Sequence, residues 1–522
     1  MPRDEAQAAI MIENVLRTHP GVRETGVASD GRDGLVAFVV PDDAYLDDVL
    51  GRATASASVL GKWRKACDLS QLTKEAATAP VGFNTIGWDS SYTRQPIPLE
   101  DMREWVETTV ADVLQLAPRA AYEIGCGSGM LVMRIAPHCD RYVAADFSPV
   151  VLERVRKQLQ TEPSVAQRVE LLERRADNFD GLAENSFDVA VLNSVVQYFP
   201  SLSYLTKVLE KAINIVRPGG HVYVGDLRSL PLLPAFASSV ELFHAADALS
   251  VGELRDRIER RIQHDRELVI SPSYFMELQR RLPKVSRVEI QLRRGRADNE
   301  MTRYRYNAIL NVGQGTQAPF KLEFQDWTGR ELTLDDIRSE FLRHPHRPVG
   351  FKGIQNARIE EDLAALVFLR DADATLTAGE LRRELEQKTA RGLHPQDLFD
   401  LDAGSGFKVF LSWAACRPDG SYDAVFIPAR SLQGETLPAI AWPEPDASGF
   451  VRLANAPGQD KLRKGLIDQL VAHCRQSLPQ ERIPLEVVLV DTVMRTADGK
   501  VDPDAVAVTK LRSRTGWWIK AI

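Results

Sequence analysis

The sequence predicts an α/β protein built on a mostly parallel sheet, and three observations carry that prediction. Residues of about 120–228 alternate short apolar runs with helical stretches. One run ends in a glycine-rich turn, Glu123-Ile-Gly-Cys-Gly-Ser-Gly129. Polar residues collect at or just past the ends of the runs: Glu123, Asp146, Asp177, Asn193 and Asp226. Strand–helix alternation implies a parallel sheet covered on both faces. Ligands in such sheets sit at the carboxyl ends of the strands, so one line of polar residues at one rim marks a candidate site.

The elements follow in chain order. Residues of about 8–48 read as a small α/β piece. Ala8 to Arg17 forms a helix on Ile10, Ile12, Val15 and Leu16, and His19-Pro-Gly21 stops it. Val22–Ala28 and Gly34–Val40 read as strands around Asp30-Gly-Arg-Asp-Gly34. Residues 49–120 read as mostly helical, broken by the loop Gly87–Pro98, whose two prolines suit neither helix nor strand. Leu99 to Leu116 is then an amphipathic helix. Ala120–Ile124, Tyr142–Ala145, Val169–Glu173, Val189–Asn193 and His221–Gly225 are the strands of the central unit, 121–314. A helical insertion at about 229–284 precedes the strands Val285–Leu292 and Arg303–Val312, placed to cap a pocket. An accessory region, 315–439, mixes short elements, with Leu366–Arg370 and Phe407–Ser412 as strands. The segment 440–522 opens on a Pro-rich linker, continues in a helix at Asp460–Ser477 and a strand at Glu486–Asp491, and turns at Asp498-Gly-Lys-Val501.

Composition narrows the function. The 522 residues are 44% hydrophobic and 26% charged, ordinary for a globular protein. A net charge of -7, from 65 basic and 72 acidic residues, gives no general attraction to nucleic acid or anionic membrane. No apolar run approaches the ~18 residues that span a bilayer, and the N-terminus lacks a secretory pattern. The five cysteines contain no CxxC pair. A reduced, cytoplasmic protein without a disulfide framework or metal site is expected; His344-Pro-His346 lacks further ligands.

The glycine turn points to an adenosine cofactor, because glycine lets backbone approach a ligand closely. Asp146, at the end of the next run, suits the two ribose hydroxyls. The turn alone leaves a methyl donor, a dinucleotide and a purely structural turn open. Three features favour the donor. Glu123 suits an amino group and would repel a pyrophosphate. The turn ends in Gly-Ser-Gly-Met rather than the GxxG of a dinucleotide helix. Asp177-Asn178 supplies an acid and an amide for an adenine edge. The cofactor set is therefore Tyr92, Glu123, Gly125, Cys126, Gly127, Gly129, Asp146, Phe147, Asp177, Asn178 and Asn193, with Tyr92 expected to fold over the donor.

Gly87–Pro98, Glu123–Gly129, Phe187–Pro200, Val224–Leu230 and Asn299–Tyr306 together resemble the methyltransferase domains embedded in nonribosomal peptide synthetases. The resemblance spans roughly 60–430. It implies a Rossmann-like class I fold, S-adenosylmethionine as donor with S-adenosylhomocysteine as product, and N-methylation of an aminoacyl or peptidyl thioester on a phosphopantetheinylated carrier protein. Methylation of carbon, oxygen or sulfur, a free small-molecule acceptor, and a silent interaction module are the alternatives. Ile12–Arg23, Leu35–Pro41, Leu478–Pro484 and Asp498–Asp502 are similar to the small C-terminal subdomain of an adenylation domain. This implies one split subdomain, 1–48 plus 440–522, interrupted by the methyltransferase. The large adenylation subdomain is absent, which leaves Lys500 no ATP site to serve.

Methyl transfer needs a neutral nucleophile, alignment and exclusion of water. An α-amine must first lose a proton. The candidates are Asp226, Arg228, Gln197, Tyr198 and Glu241, with Asp226 the leading carboxylate and His244 a weaker cap residue. The family's Phe-His-Ala-Ser-Val-Gln reads Phe236-Ala-Ser-Ser-Val-Glu241 here, so Ala237 replaces the histidine and Glu241 is new.

Overall fold

The computed structural model describes residues 3–29, 35–42, 82–313, 322–387, 391–432, 438–444, 460–479 and 486–490, with isolated residues between. The Asp30–Gly34 turn, most of 43–79, and Lys500 with its turn lie outside the described residues.

Helix α1 (Arg3–Arg17) leads into the hairpin β1 (Val22–Ser29) and β2 (Leu35–Pro41). Helix α2 (Leu99–Leu114) precedes the central unit: β3 (Ala120–Ile124), β4 (Arg141–Asp146), α3 (Pro149–Gln160), β5 (Val169–Glu173), β6 (Phe187–Asn193), α4 (Leu202–Ile215) and β7 (Val216–Arg228). Three cap helices follow, α5 (Leu233–His244), α6 (Val251–Gln263) and α7 (Ser273–Arg281), then β8 (Val285–Leu292) and β9 (Arg305–Val312). The accessory region supplies β10 (Phe324–Asp326), α8 (Leu334–Arg343), β11 (Val349–Ile354), α9 (Glu360–Asp371), α10 (Ala378–Glu386), β12 (Phe407–Ser412) and β13 (Tyr422–Pro428). Helix α11 (Asp460–Ser477) and β14 (Glu486–Leu489) close the described chain.

The large sheet runs β10-β11-β13-β12-β8-β9-β7-β6-β3-β4-β5. Strands β5, β4, β3, β6 and β7 are mutually parallel, and β9 enters antiparallel between β7 and β8. Strand β6 is buried at every position, as a sheet covered on both faces requires. Chain order reverses between β3 and β6, so their carboxyl ends, Ile124 and Asn193, flank the crevice where such sheets bind ligands. The accessory strands extend this sheet, joined by the pairing of Ser412 with Gln291.

Local rules explain the helices that shape the crevice. Helix α4 starts at Ser201, whose hydroxyl accepts from Tyr204 N–H, and buries Leu205, Val208, Leu209, Ala212 and Ile213 at helical spacing. Helix α6 starts with a reciprocal Ser250–Glu253 capping box. The expected strand Leu366–Arg370 is instead the last half of α9. Glu360, Glu361 and Asp362 fill that helix's first turn, and Asp362, Ala365, Leu366 and Leu369 form its buried stripe.

The first and last described elements meet. Strand β14 pairs parallel with β2, giving the small sheet β1-β2-β14. Ile12 and Leu16 of α1, Val39 of β2, Leu466, Leu470 and Cys474 of α11 and Val487 of β14 share one core. Among the described residues, no helix is long and apolar enough to cross a membrane.

Candidate functional site

The glycine turn leaves β3 with Gly125, Gly127 and Gly129 at φ +72°, +51° and +81°, the left-handed region that favours glycine. Their surroundings differ. A Cβ on Gly125 would lie 2.3 Å from Val195, and one on Gly129 3.0 Å from Val155, whereas one on Gly127 would meet open space. Gly127 therefore leaves its backbone open to close approach. The N–H groups of Gly125 and Cys126 donate to the Ala145 carbonyl, at 2.8 and 3.0 Å. Gly127 N–H donates to Asp146 Oδ2 (3.1 Å) and Ser148 N–H to Asp146 Oδ1 (2.9 Å). Burial raises the Asp146 carboxyl above its ordinary range, and the N–H groups of Ser148, Gly127 and Phe147 counter it. Asn193, buried at the end of β6, has an Oδ1 without a partner among the described residues. That Oδ1 stands against Gly225 of β7, where a Cβ would come within 2.2 Å of it, and an unpaired buried acceptor fits a ligand that carries donors. Ser194, just past β6, and Asp226, within β7, also hold φ values of +54° and +62°.

Several expected cofactor contacts are placed differently. Glu123 turns into the sheet, 3% exposed, and its Oε2 accepts from Tyr142 O–H at 2.7 Å. Burial pushes its carboxyl up to about 8, and it supports the turn from beneath instead of facing open space. Asp177 pairs with Arg175 at 3.0 Å, and the Asn178 side chain closes a turn on Asp180 N–H. Both are committed locally rather than presented to an adenine. The Tyr92 hydroxyl meets Ser239 (3.2 Å) on α5 and Tyr304 (3.3 Å), which in turn bonds Asp362. Tyr92 thus ties the Gly87–Pro98 loop to the cap and lines a separate cavity of about 630 Å³. Asn84 approaches the glycine turn, its carbonyl accepting from Ser128 Oγ at 3.1 Å; nothing in the sequence singled it out.

A larger cavity of about 690 Å³ brings Gln197, Tyr198, Arg228 and Glu241 together beneath the cap. Gln197 donates to Ser194 Oγ at 2.9 Å. Arg228 bridges Asp265 (2.8 Å) and Glu267 (2.9 Å). Glu241 accepts from Arg261 at 2.7 Å. The Tyr198 hydroxyl is pushed up to about 12 by burial and by the Glu267 carboxylate. His244 is not among the lining residues; its Nε2 lies 3.1 Å from the Ser91 carbonyl and fixes the loop.

Asp226, the leading carboxylate, does not reach this cavity. It is fully buried, with Oδ1 accepting from Trp105 Nε1–H (3.1 Å) and Oδ2 paired with Arg305 (2.5 Å). Arg305 is the member of the pair that lines the cavity. Glu267 and Glu300 also line it and were not anticipated. Glu300 lies within the quoted segment Asn299–Tyr306, so position was legible there while role was not. Trp105 is buried in the core and also serves as a hydrogen-bond donor to Asp226.

The order β5-β4-β3-β6-β7-β9-β8, with one antiparallel strand and a glycine turn at the reversal, defines the class of S-adenosylmethionine-dependent methyltransferases. Residues 122–222 match the model of a family described as a methyltransferase domain. Over nearly its whole length it is homologous to part of nonribosomal peptide synthetases. It is 34% identical to chondramide synthase of Chondromyces crocatus, covering 97% of this chain and 13% of that protein. It is 31% identical to a probable non-canonical nonribosomal peptide synthetase of Salinispora arenicola (95% and 6%). It is 26% identical to beauvericin nonribosomal cyclodepsipeptide synthetase of Beauveria bassiana (95% and 16%). The chain thus spans less than a fifth of each of these relatives.

Proposed function

We propose that the chain methylates the amine of an aminoacyl or peptidyl group tethered as a carrier-protein thioester. The observation that carries this reading is the polar cavity of about 690 Å³ under the cap, in a chain homologous to peptide synthetases. A cavity of that size falls in the range that encloses drug-sized ligands, ~300–1,000 Å³, and has room for a tethered chain.

Gly125, Cys126, Gly127 and Gly129 cradle the donor through backbone, with Asp146 toward its ribose and Asn193 Oδ1 toward a donor N–H. S-Adenosylmethionine supplies an electrophilic methyl group on a sulfonium. This chain's own residues prepare the acceptor. Glu241, Glu267 and Glu300 place carboxylates in the cavity wall, which draw in an ammonium and accept its proton. Gln197 and Tyr198 orient the neutral amine by hydrogen bonds. Tyr198, held up to about 12, stays protonated at neutral pH and is a donor, not the base. Arg228 and Arg305 are positively charged groups suited to a thioester carbonyl. The cap helices exclude water. Asp226 holds Arg305 in place.

The test is incubation with S-adenosylmethionine and a panel of aminoacyl carrier proteins, read by intact mass. Carrier-bound amino acids are expected to gain one methyl group on nitrogen. Methylation of free small molecules alone would overturn the tethered reading. Failure to bind either donor or demethylated product in calorimetry would overturn the enzyme reading altogether.

A further inference from the structure

Helix α6 presents two chemically distinct faces. Val251, Leu254, Ile258 and Ile262 are buried against the cap core. Arg257, Arg260, Arg261 and His264 recur at i, i+3, i+4 and i+7, so they share another face. All four line the 690 Å³ cavity, and Arg266 joins them just past the helix.

The cations of this cavity fall into two groups. Arg228 is matched by Asp265 and Glu267, Arg305 by Asp226, and Arg261 by Glu241. Their side chains are at most 30% exposed. Arg257, Arg260 and Arg266 are exposed and form no ion pair among the described residues. Glu253, whose field Arg257 feels, is itself held by the Ser250 cap. Arg260 spends its Nε on the Asp256 carbonyl and keeps its terminal nitrogens for another partner. Cations in a last helical turn suit the negative end of the helix. That accounts for Arg260 and Arg261 but not for Arg257, a turn earlier, or for Arg266, beyond the helix.

Exposed guanidinium groups converging on one cavity are the chemistry of phosphate recognition, because the planar fork donates two hydrogen bonds to one oxyanion group. S-Adenosylmethionine carries no phosphate, so the donor does not explain them. We propose that Arg257, Arg260 and Arg266 bind the phosphate of a phosphopantetheine arm at the cavity mouth, while the aminoacyl end reaches the inner wall at Gln197, Tyr198 and Glu241. This inference rests on the tethered-substrate reading and adds to it the site that holds the tether. It also explains the layout of charge: paired cations and carboxylates deep in the cavity, unpaired cations at its rim.

Calorimetry on the full chain, saturated with S-adenosylhomocysteine, tests it with phosphopantetheine, pantetheine and inorganic phosphate. Phosphopantetheine is expected to bind about tenfold tighter than pantetheine, the scale of one charge-assisted contact. The triple variant Arg257→Gln/Arg260→Gln/Arg266→Gln should bring the two affinities together. Its S-adenosylhomocysteine affinity reports whether the fold is intact, and Arg257→Gln alone should give a partial loss if the triple variant fails that check. With an aminoacyl carrier protein, the triple variant should raise KM by about tenfold while kcat changes little. Equal binding of phosphopantetheine and pantetheine to the wild type, or tight binding of inorganic phosphate alone, overturns the assignment of the rim. If carrier thioesters are methylated all the same, the tethered reading survives that failure. Methylation of free amino acids only removes both.

Discussion

Asp226 illustrates how a rim carboxylate becomes structural. Its left-handed φ of +62° turns the side chain inward, where Trp105 and Arg305 take both oxygens. Removing one partner of a buried pair leaves the other charge uncompensated, which costs about 3–5 kcal/mol. Asp226→Ala should therefore lower stability by about that amount in urea unfolding. Asp226→Asn, which keeps the Trp105 contact, should lose less. An Asp226→Asn protein of wild-type stability with a collapsed kcat would restore this residue as the base. Glu123 offers a second test at the same scale. Its ordinary value of 4.5 is pushed up to about 8 in the folded chain. Between those values the folded protein keeps a proton that the unfolded chain has released, so this residue's contribution to stability falls as pH rises from 4.5 toward 8. Glu123→Gln should flatten that part of the stability–pH curve and gain most near pH 8. Parallel curves for the two proteins would show that Glu123 is not the group responsible.

The glycine turn behaves as an element, and its three glycines are not equivalent. Gly125→Ala drives a Cβ into Val195, whereas Gly127→Ala projects into open space. Both carry left-handed strain, of order 1 kcal/mol or more. Gly125→Ala should lower the melting temperature distinctly more than Gly127→Ala does. Gly127→Ala should weaken S-adenosylhomocysteine binding out of proportion to its small change in melting temperature. Equal effects of the two on melting would remove the distinction. The same element shows what sequence alone conveys. Apolar runs bounded by turns gave away β3, β4 and β6, because burial on both faces leaves nearly continuous apolar segments. A short apolar run is ambiguous, however, and Leu366–Arg370 belongs to α9 because its helical stripe begins upstream at Asp362. The glycine turn and Asp146 were readable because their chemistry is local. The Asp226–Arg305 and Tyr92–Tyr304–Asp362 associations were not, because each joins residues far apart in sequence that meet only through the fold.

At the scale of the whole molecule, the methyltransferase sheet lies between two chain segments that build one small sheet. Strand β2 is the central strand, paired with β1 on one side and β14 on the other. Thr18 meets His473 at 2.8 Å, and His473 also lies 3.1 Å from the Val15 carbonyl, so α1 and α11 are pinned as well as packed. Neither end holds a core by itself: Ile12 and Leu16 are completed by Leu466 and Leu470. Leu470 is fully buried there, and truncating such a residue to Ala costs about 2–5 kcal/mol. The small sheet and the glycine turn belong to separate sheets with separate cores. Leu470→Ala should therefore speed amide hydrogen exchange in β1 and β2 while S-adenosylhomocysteine affinity stays within about twofold, as expected for independent sites. A loss of affinity that tracks the loss of protection would mean that the small sheet and the methyltransferase sheet unfold as one cooperative unit.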